Sequence, residues 1–129
     1  MSFEVRLPKS LRKGYRAKEK RDRILLAVSL EAERRAKLKA PVNHGRLRSS
    51  IEGGVDDQGG FVRAQTTYAA FNEFGTMSRG AQTDPGPTPS WYQHSGRPGG
   101  LEATPFLRPA VQSMRGADIA DIARSNSQD

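Results

Sequence analysis

The chain has 129 residues, a formal charge of +7, 35% hydrophobic residues and a mean hydropathy of -0.71. That length supports one domain with a small core, so assembly can be expected to cover part of the apolar surface. No apolar run approaches the ~20 residues that cross a bilayer, and the absence of cysteine removes disulfides and thiolate metal sites. "MSFEVRLPKS" lacks the apolar stretch of a secretory signal, and we expect a soluble protein made in a reducing cytosol.

The charge is uneven. Residues 1–50 hold 15 Lys/Arg against 5 Asp/Glu, and residues 51–129 hold 6 against 9. A basic N-terminal part on a slightly acidic body suits contact with a polyanion, and equally a solvated helix face. We read residues 1–16 as a basic arm, opening with an extended segment that Pro8 closes. Ser10 is placed to cap a helix reaching about Ala40, secure over Ala17–Lys39, where Ile24, Val28, Ala32, Ala36 and Ala40 recur every four residues beside Leu25. The narrowing of this stripe to alanine predicts close approach to a sheet or another helix.

Pro41 ends the helix, and Asn43, His44 and Gly45 read as a turn. Leu47 and Ile51 are expected to lead into a strand, "GGVDDQGG" to form an open hairpin loop, and "FVRAQTTYAAF" to return, giving an antiparallel hairpin over 47–67. Residues 77–103 contain five glycines and four prolines, which predicts an extended loop carrying Trp91, Tyr92 and His94. Pro105 and Pro109, with Val111, Met114, Ile119 and Ile122, predict a last amphipathic helix interrupted near Gly116. "RSNSQD" reads as a disordered tail, with 126–129 outside a single α+β domain at 17–125.

Catalytic chemistry finds little purchase. His44 and His94 stand alone in turn-like sequence, with no paired-His, HExxH or EF-hand spacing. Glu73, between Phe71 and Phe74, has no nucleophile or second carboxylate at motif spacing. Asp56-Asp57 fits turn chemistry, and "GRPGG" lacks the strand–turn–helix setting of a phosphate loop. We therefore expect no enzyme, no metal and no cofactor. Arg12, Lys13, Arg16, Lys20, Arg21 and Arg23 are candidate contacts for DNA or for an acidic partner, with Arg46 and Arg48 extending them. Without a base-reading module such binding would be backbone-directed and steeply salt-dependent. An assembly module, with opposite charges meeting head to tail, is the other expectation.

Three segments in order carry a resemblance. "APVNHGRLRSSI" resembles the A-P-V-D-T-G-x-L-R-x-S-I pattern of the tail-completion, or head–tail joining, proteins of long-tailed bacteriophages. "YAAFNEFGT" and "PFLRPAV" resemble two further elements of that family, over about residues 20–125. Asn43-His44 stands where the family has Asp-Thr, and the 77–103 insert is longer. The resemblance implies a long N-terminal helix packed on a small antiparallel sheet with a C-terminal helix, and no catalytic residues. Its structural positions fall on Pro41, Gly45, Leu47, Arg48 and Ser50, on Tyr68, Ala69, Glu73, Phe74, Gly75 and Thr76, and on Pro105 through Pro109. It also implies a virion neck protein, assembled in the host cytoplasm as a ring with a lumen for genomic DNA, six-fold in preference to twelve-fold. Tail-tube and head-connector proteins would be its partners, and no membrane. On that reading Tyr68, Phe71, Glu73, Phe74, Phe106, Leu107 and Arg108 are expected interface residues, with Arg108 pairing Glu73, and Trp91 and Tyr92 are expected to reach a neighbouring ring. The alternative is a DNA-binding protein acting through the basic helix.

Overall fold

The computed structural model describes residues 3–7, 18–40, 45–66, 69–83, 89 and 91–126. Helix α1 (Lys18–Lys39) forms where the four-residue apolar repeat places it. Ile24, Val28, Ala32 and Ala36, and Ala40 just beyond the helix, are all buried, and Leu25 joins them. Ser29 sits within this face and satisfies its hydroxyl by donating to the Leu25 carbonyl oxygen at 2.8 Å, as a buried polar group requires.

The stripe packs on a three-stranded antiparallel sheet of order β1-β3-β2, made of β1 (Phe3–Arg6), β2 (Ile51–Asp56) and β3 (Gly59–Ala64). Phe3 lies opposite Ala64 and Arg6 opposite Phe61, while on the other side Ile51 faces Ala64 and Asp56 faces Gly59. Residues 3–7, expected within a basic arm, thus belong to the domain. Phe3 and Leu7 are buried, and the Leu7 amide donates to the Gly60 carbonyl at 3.0 Å. The rest of that arm lies outside the described residues.

Leu47 does not lead into a strand. It is buried in a short helix, α2 (Gly45–Ser49), which Ser50 closes by donating its hydroxyl and its amide to the Leu47 carbonyl at 2.7 and 3.1 Å. The expected open loop "GGVDDQGG" is mostly strand, and Asp57-Gln58 alone make the turn. Gly53 and Gly54 are glycine for space rather than flexibility. A Cβ on Gly53 would lie 2.3 Å from the Ser29 carbonyl oxygen, and one on Gly54 would lie 2.9 Å from the Phe61 ring.

The expected return strand stops at Ala64, and Ala69–Phe74 is helix α3. Every residue of α3 except Phe71 is buried, so tertiary packing overrides the β-propensity of the aromatics. The expected 77–103 loop instead begins with helix α4 (Met77–Thr83). The return segment is stapled to it: the Thr76 and Arg79 amides donate to the Leu101 and Gly99 carbonyls at 2.8 and 3.0 Å. The C-terminal helix is broken as expected, into α5 (Leu107–Gln112) and α6 (Gly116–Asn126), and Arg124–Asn126 are helical rather than tail. Arg35 ties these helices to α1. It donates to the Ser113 carbonyl at 2.9 Å and to Glu31 at 2.9 Å, and lies 3.5 Å from Asp118.

Candidate functional site

Helix α5 begins without a cap of its own, because Phe106 has no side-chain oxygen and makes no capping bond. The first amides of any helix need acceptors. Here they come from Glu73, 33 residues upstream in α3 and 0% exposed. One carboxylate oxygen, Oε1, accepts the Phe106 and Leu107 amides, each at 2.9 Å. The other, Oε2, accepts the Arg108 amide at 3.1 Å and the Arg108 Nε at 2.8 Å. Arg108 Nη2 also donates to the Glu73 carbonyl at 3.2 Å, and its guanidinium lies 4.5 Å from the centre of the Phe74 ring. A buried carboxylate is tolerated only with such compensation, and the arrangement leaves it no oxygen free for chemistry.

The pair expected between Glu73 and Arg108 therefore forms within one chain, and it corrects the assignment of its neighbours. Glu73, Phe74, Phe106 and Leu107 are fully buried in the chain's own core, so the folded protein cannot offer them to a partner. Arg108 is mostly buried beside them. Phe71 and Trp91 are the expected interface residues that reach solvent, 43% and 51% exposed. Tyr68 lies outside the described residues.

Trp91 and Tyr92 fold back onto their own chain, where they had been expected to reach a neighbouring ring. Trp91 sits 5.8 Å from Phe3 and 5.9 Å from Phe74, ring centre to ring centre, and Tyr92 sits 5.0 Å from Phe74 and 6.4 Å from Phe71. The Tyr92 hydroxyl donates to the Gly75 carbonyl, at a corner where Gly75 takes φ +73° as glycine readily does. His94 Nε2 lies 2.6 Å from the Phe74 carbonyl oxygen and its ring stacks edge-on to Tyr92, so this histidine is structural. The exposed half of Trp91 is what remains for a partner.

Of the candidate polyanion contacts, Arg12, Lys13 and Arg16 lie outside the described residues. Lys20 and Arg21 are half-buried and Arg23 is exposed. Arg21 lines a groove of about 420 Å³ together with Asp22, Asp56 and Asp57. A phosphate entering there would meet three carboxylates, which disfavours it. Asp56 is committed to Arg6, whose two terminal nitrogens donate to it at 2.6 and 2.8 Å. That bond holds the Asp56 carboxyl down at about 2. Among the described residues no group of three His, Asp or Glu is placed to hold a metal ion, and no helix is long and apolar enough to cross a membrane.

Two residues that matter here carried no signal in the sequence. Glu33 accepts the outward-pointing amide of Gly53 at 2.8 Å and lies 3.4 Å from Lys37, closing part of the free edge of β2. Glu31 accepts from Arg34 at 2.7 Å and from Arg35 at 2.9 Å. Arg34 chiefly, then Arg35, lowers its carboxyl to about 2. Both look like ordinary members of a charged helix, and only the placement of the sheet and of α6 distinguishes them. Comparisons with protein-family models, with curated proteins and with solved structures gave no match.

Proposed function

We propose that this chain is a neck protein of a long-tailed bacteriophage, a ring subunit that completes the tail and meets the head connector around a lumen for DNA. The observation that carries this reading is the Glu73 joint. The second and third segments that resemble the tail-completion family, more than thirty residues apart, are locked together there by one carboxylate, one guanidinium and three backbone amides. Residues shared with such a family are then shared because they build the subunit, which suits a protein whose work is mechanical and done at its outer surface. The exposed halves of Phe71 and Trp91 supply that surface with the aromatic character typical of interface anchors.

Deletion and add-back test the reading. In a phage carrying this chain, removing it is expected to leave DNA-filled heads and free tails that the purified protein then joins. Heads and tails that join without it would overturn the reading. Tight duplex-DNA binding with a steep salt slope, and no effect on joining, would favour a backbone-directed DNA-binding role instead.

A further inference from the structure

The buried core ends along the chain at Met114 and contains no residue of α6. None of the 11 residues of α6 is buried, which holds for no other helix among the described residues. Ile119, Ile122 and Ala123, spaced to share one face, lie half-buried against the core from outside. Even that face is seated only in part. An open groove of about 450 Å³ runs between Ala27 and Leu30 of α1 and Ile122, Ser125 and Asn126 of α6. Helix α5, though shorter, buries Leu107 and Ala110 and takes its cap from Glu73.

The two C-terminal helices close on themselves at the turn that joins them. The Ser113 amide donates to the Pro109 carbonyl at 2.8 Å and its hydroxyl to the Ala110 carbonyl at 2.9 Å, which finishes α5. Asp118 accepts the Arg115 amide at 3.0 Å, and the Ile119 amide donates to the Arg115 carbonyl at 3.0 Å, which starts α6. Gly116 stands in open space, where a Cβ would meet nothing within 4 Å. Arg35 spans this turn from α1. Its Nη1 donates to the Ser113 carbonyl at 2.9 Å and to the Ser113 hydroxyl at 3.2 Å, and its Nη2 lies 3.5 Å from Asp118. Glu31 accepts from its Nε at 2.9 Å and so aims the guanidinium.

We propose that α6 is a hinged flap. It opens and closes as one unit about Ser113–Gly116 while α1, the sheet and α5 stay folded, and Arg35 is the latch that holds it shut. Local opening belongs to segments that bury few apolar side chains and leave their backbone bonds near solvent, and α6 is such a segment. Opening releases Ile119 and Ile122 and enlarges the apolar surface that Leu30, 46% exposed, already offers on α1. The flap works in the free chain, whatever that chain assembles into.

Amide hydrogen exchange on the purified full-length chain reads the flap directly. After correction for intrinsic rates, amides of α6 are expected to be protected, yet to exchange at least about tenfold faster than those of β3 and the middle of α1. Arg35→Gln removes charged hydrogen bonds across the hinge and is expected to speed α6 exchange about tenfold more, with β3 unchanged. Arg34→Gln is the control, because Arg34 bonds to Glu31 on its own helix, and it is expected to leave α6 exchange as it was. Amides of α6 that show no protection, or the same protection as β3, would overturn the flap. Exchange unaffected by Arg35→Gln, quickened equally throughout the chain, or quickened as much by Arg34→Gln would overturn the latch.

Discussion

Glu73 shows how one side chain joins two distant segments. Its carboxylate receives four N–H donors, three of them backbone amides at the start of α5. Removing one partner of a buried, hydrogen-bonded ion pair costs about 3–5 kcal/mol. Glu73→Ala is expected to lose that much in urea unfolding at pH 7. Glu73→Gln keeps the shape but turns an amide NH2 toward at least one donor, and an unmet buried donor costs about 1–3 kcal/mol. A Gln variant within ~0.5 kcal/mol of the parent, the range of ordinary surface changes, would show that the charge is incidental. The side-chain half of this joint is legible in the sequence, because a lone carboxylate among aromatics and a later Arg in "PFLRPAV" suit each other. The amide half is not, since every residue carries an amide and no residue type marks where a helix lacks a cap.

Among the elements, α1 is legible because its repeat is four residues long and ends in alanine. The hairpin is legible in kind, but its bounds shift because glycine has two meanings. In "GGVDDQGG" the composition suggests a loop, whereas Gly53 is there to admit the backbone of α1. Gly53→Ala is expected to destabilise by about 1–3 kcal/mol, as overpacking does. Gly96→Ala, where a Cβ would meet nothing within 4 Å, is expected to change stability by less than ~0.5 kcal/mol. Equal melting temperatures for the two variants would contradict the close approach of helix and sheet. Helices α3 and α4 could not be read from the sequence, because α3 is held by burial of all but one residue and α4 packs against a glycine- and proline-rich return segment.

The charged face of α1 carries its own prediction. Glu31 titrates at about 2 in the folded chain against an ordinary 4.5. A depressed carboxyl contributes stability that is fully present above its unfolded value and is lost as pH falls through the folded one. The contribution of Glu31 is therefore present above about pH 4.5 and fades toward pH 2. Glu31→Gln is expected to flatten the stability loss across that window in unfolding titrations and to weaken the hold of Arg35 on Ser113. An unchanged acid limb would mean that the Glu31–Arg34–Arg35 cluster is too well solvated to matter.

For the whole molecule, the joint and the surface divide the labour. Among the described residues, those that drew the resemblance are largely spent inside, on the core and on the α5 cap. The uncovered large apolar side chains lie outside, on α1 and around Trp91. Composition pointed toward assembly, because a small core leaves apolar side chains uncovered. It could not separate buried aromatics from exposed ones: Phe71 and Phe74 are three residues apart, yet one is 43% exposed and the other 0%. The most direct measurement is averaged electron micrographs of tail tubes incubated with the purified protein. A ring of six-fold symmetry with an open lumen, seated at the head-proximal end of the tube, is the predicted result. Tubes that remain bare at saturating protein would contradict it.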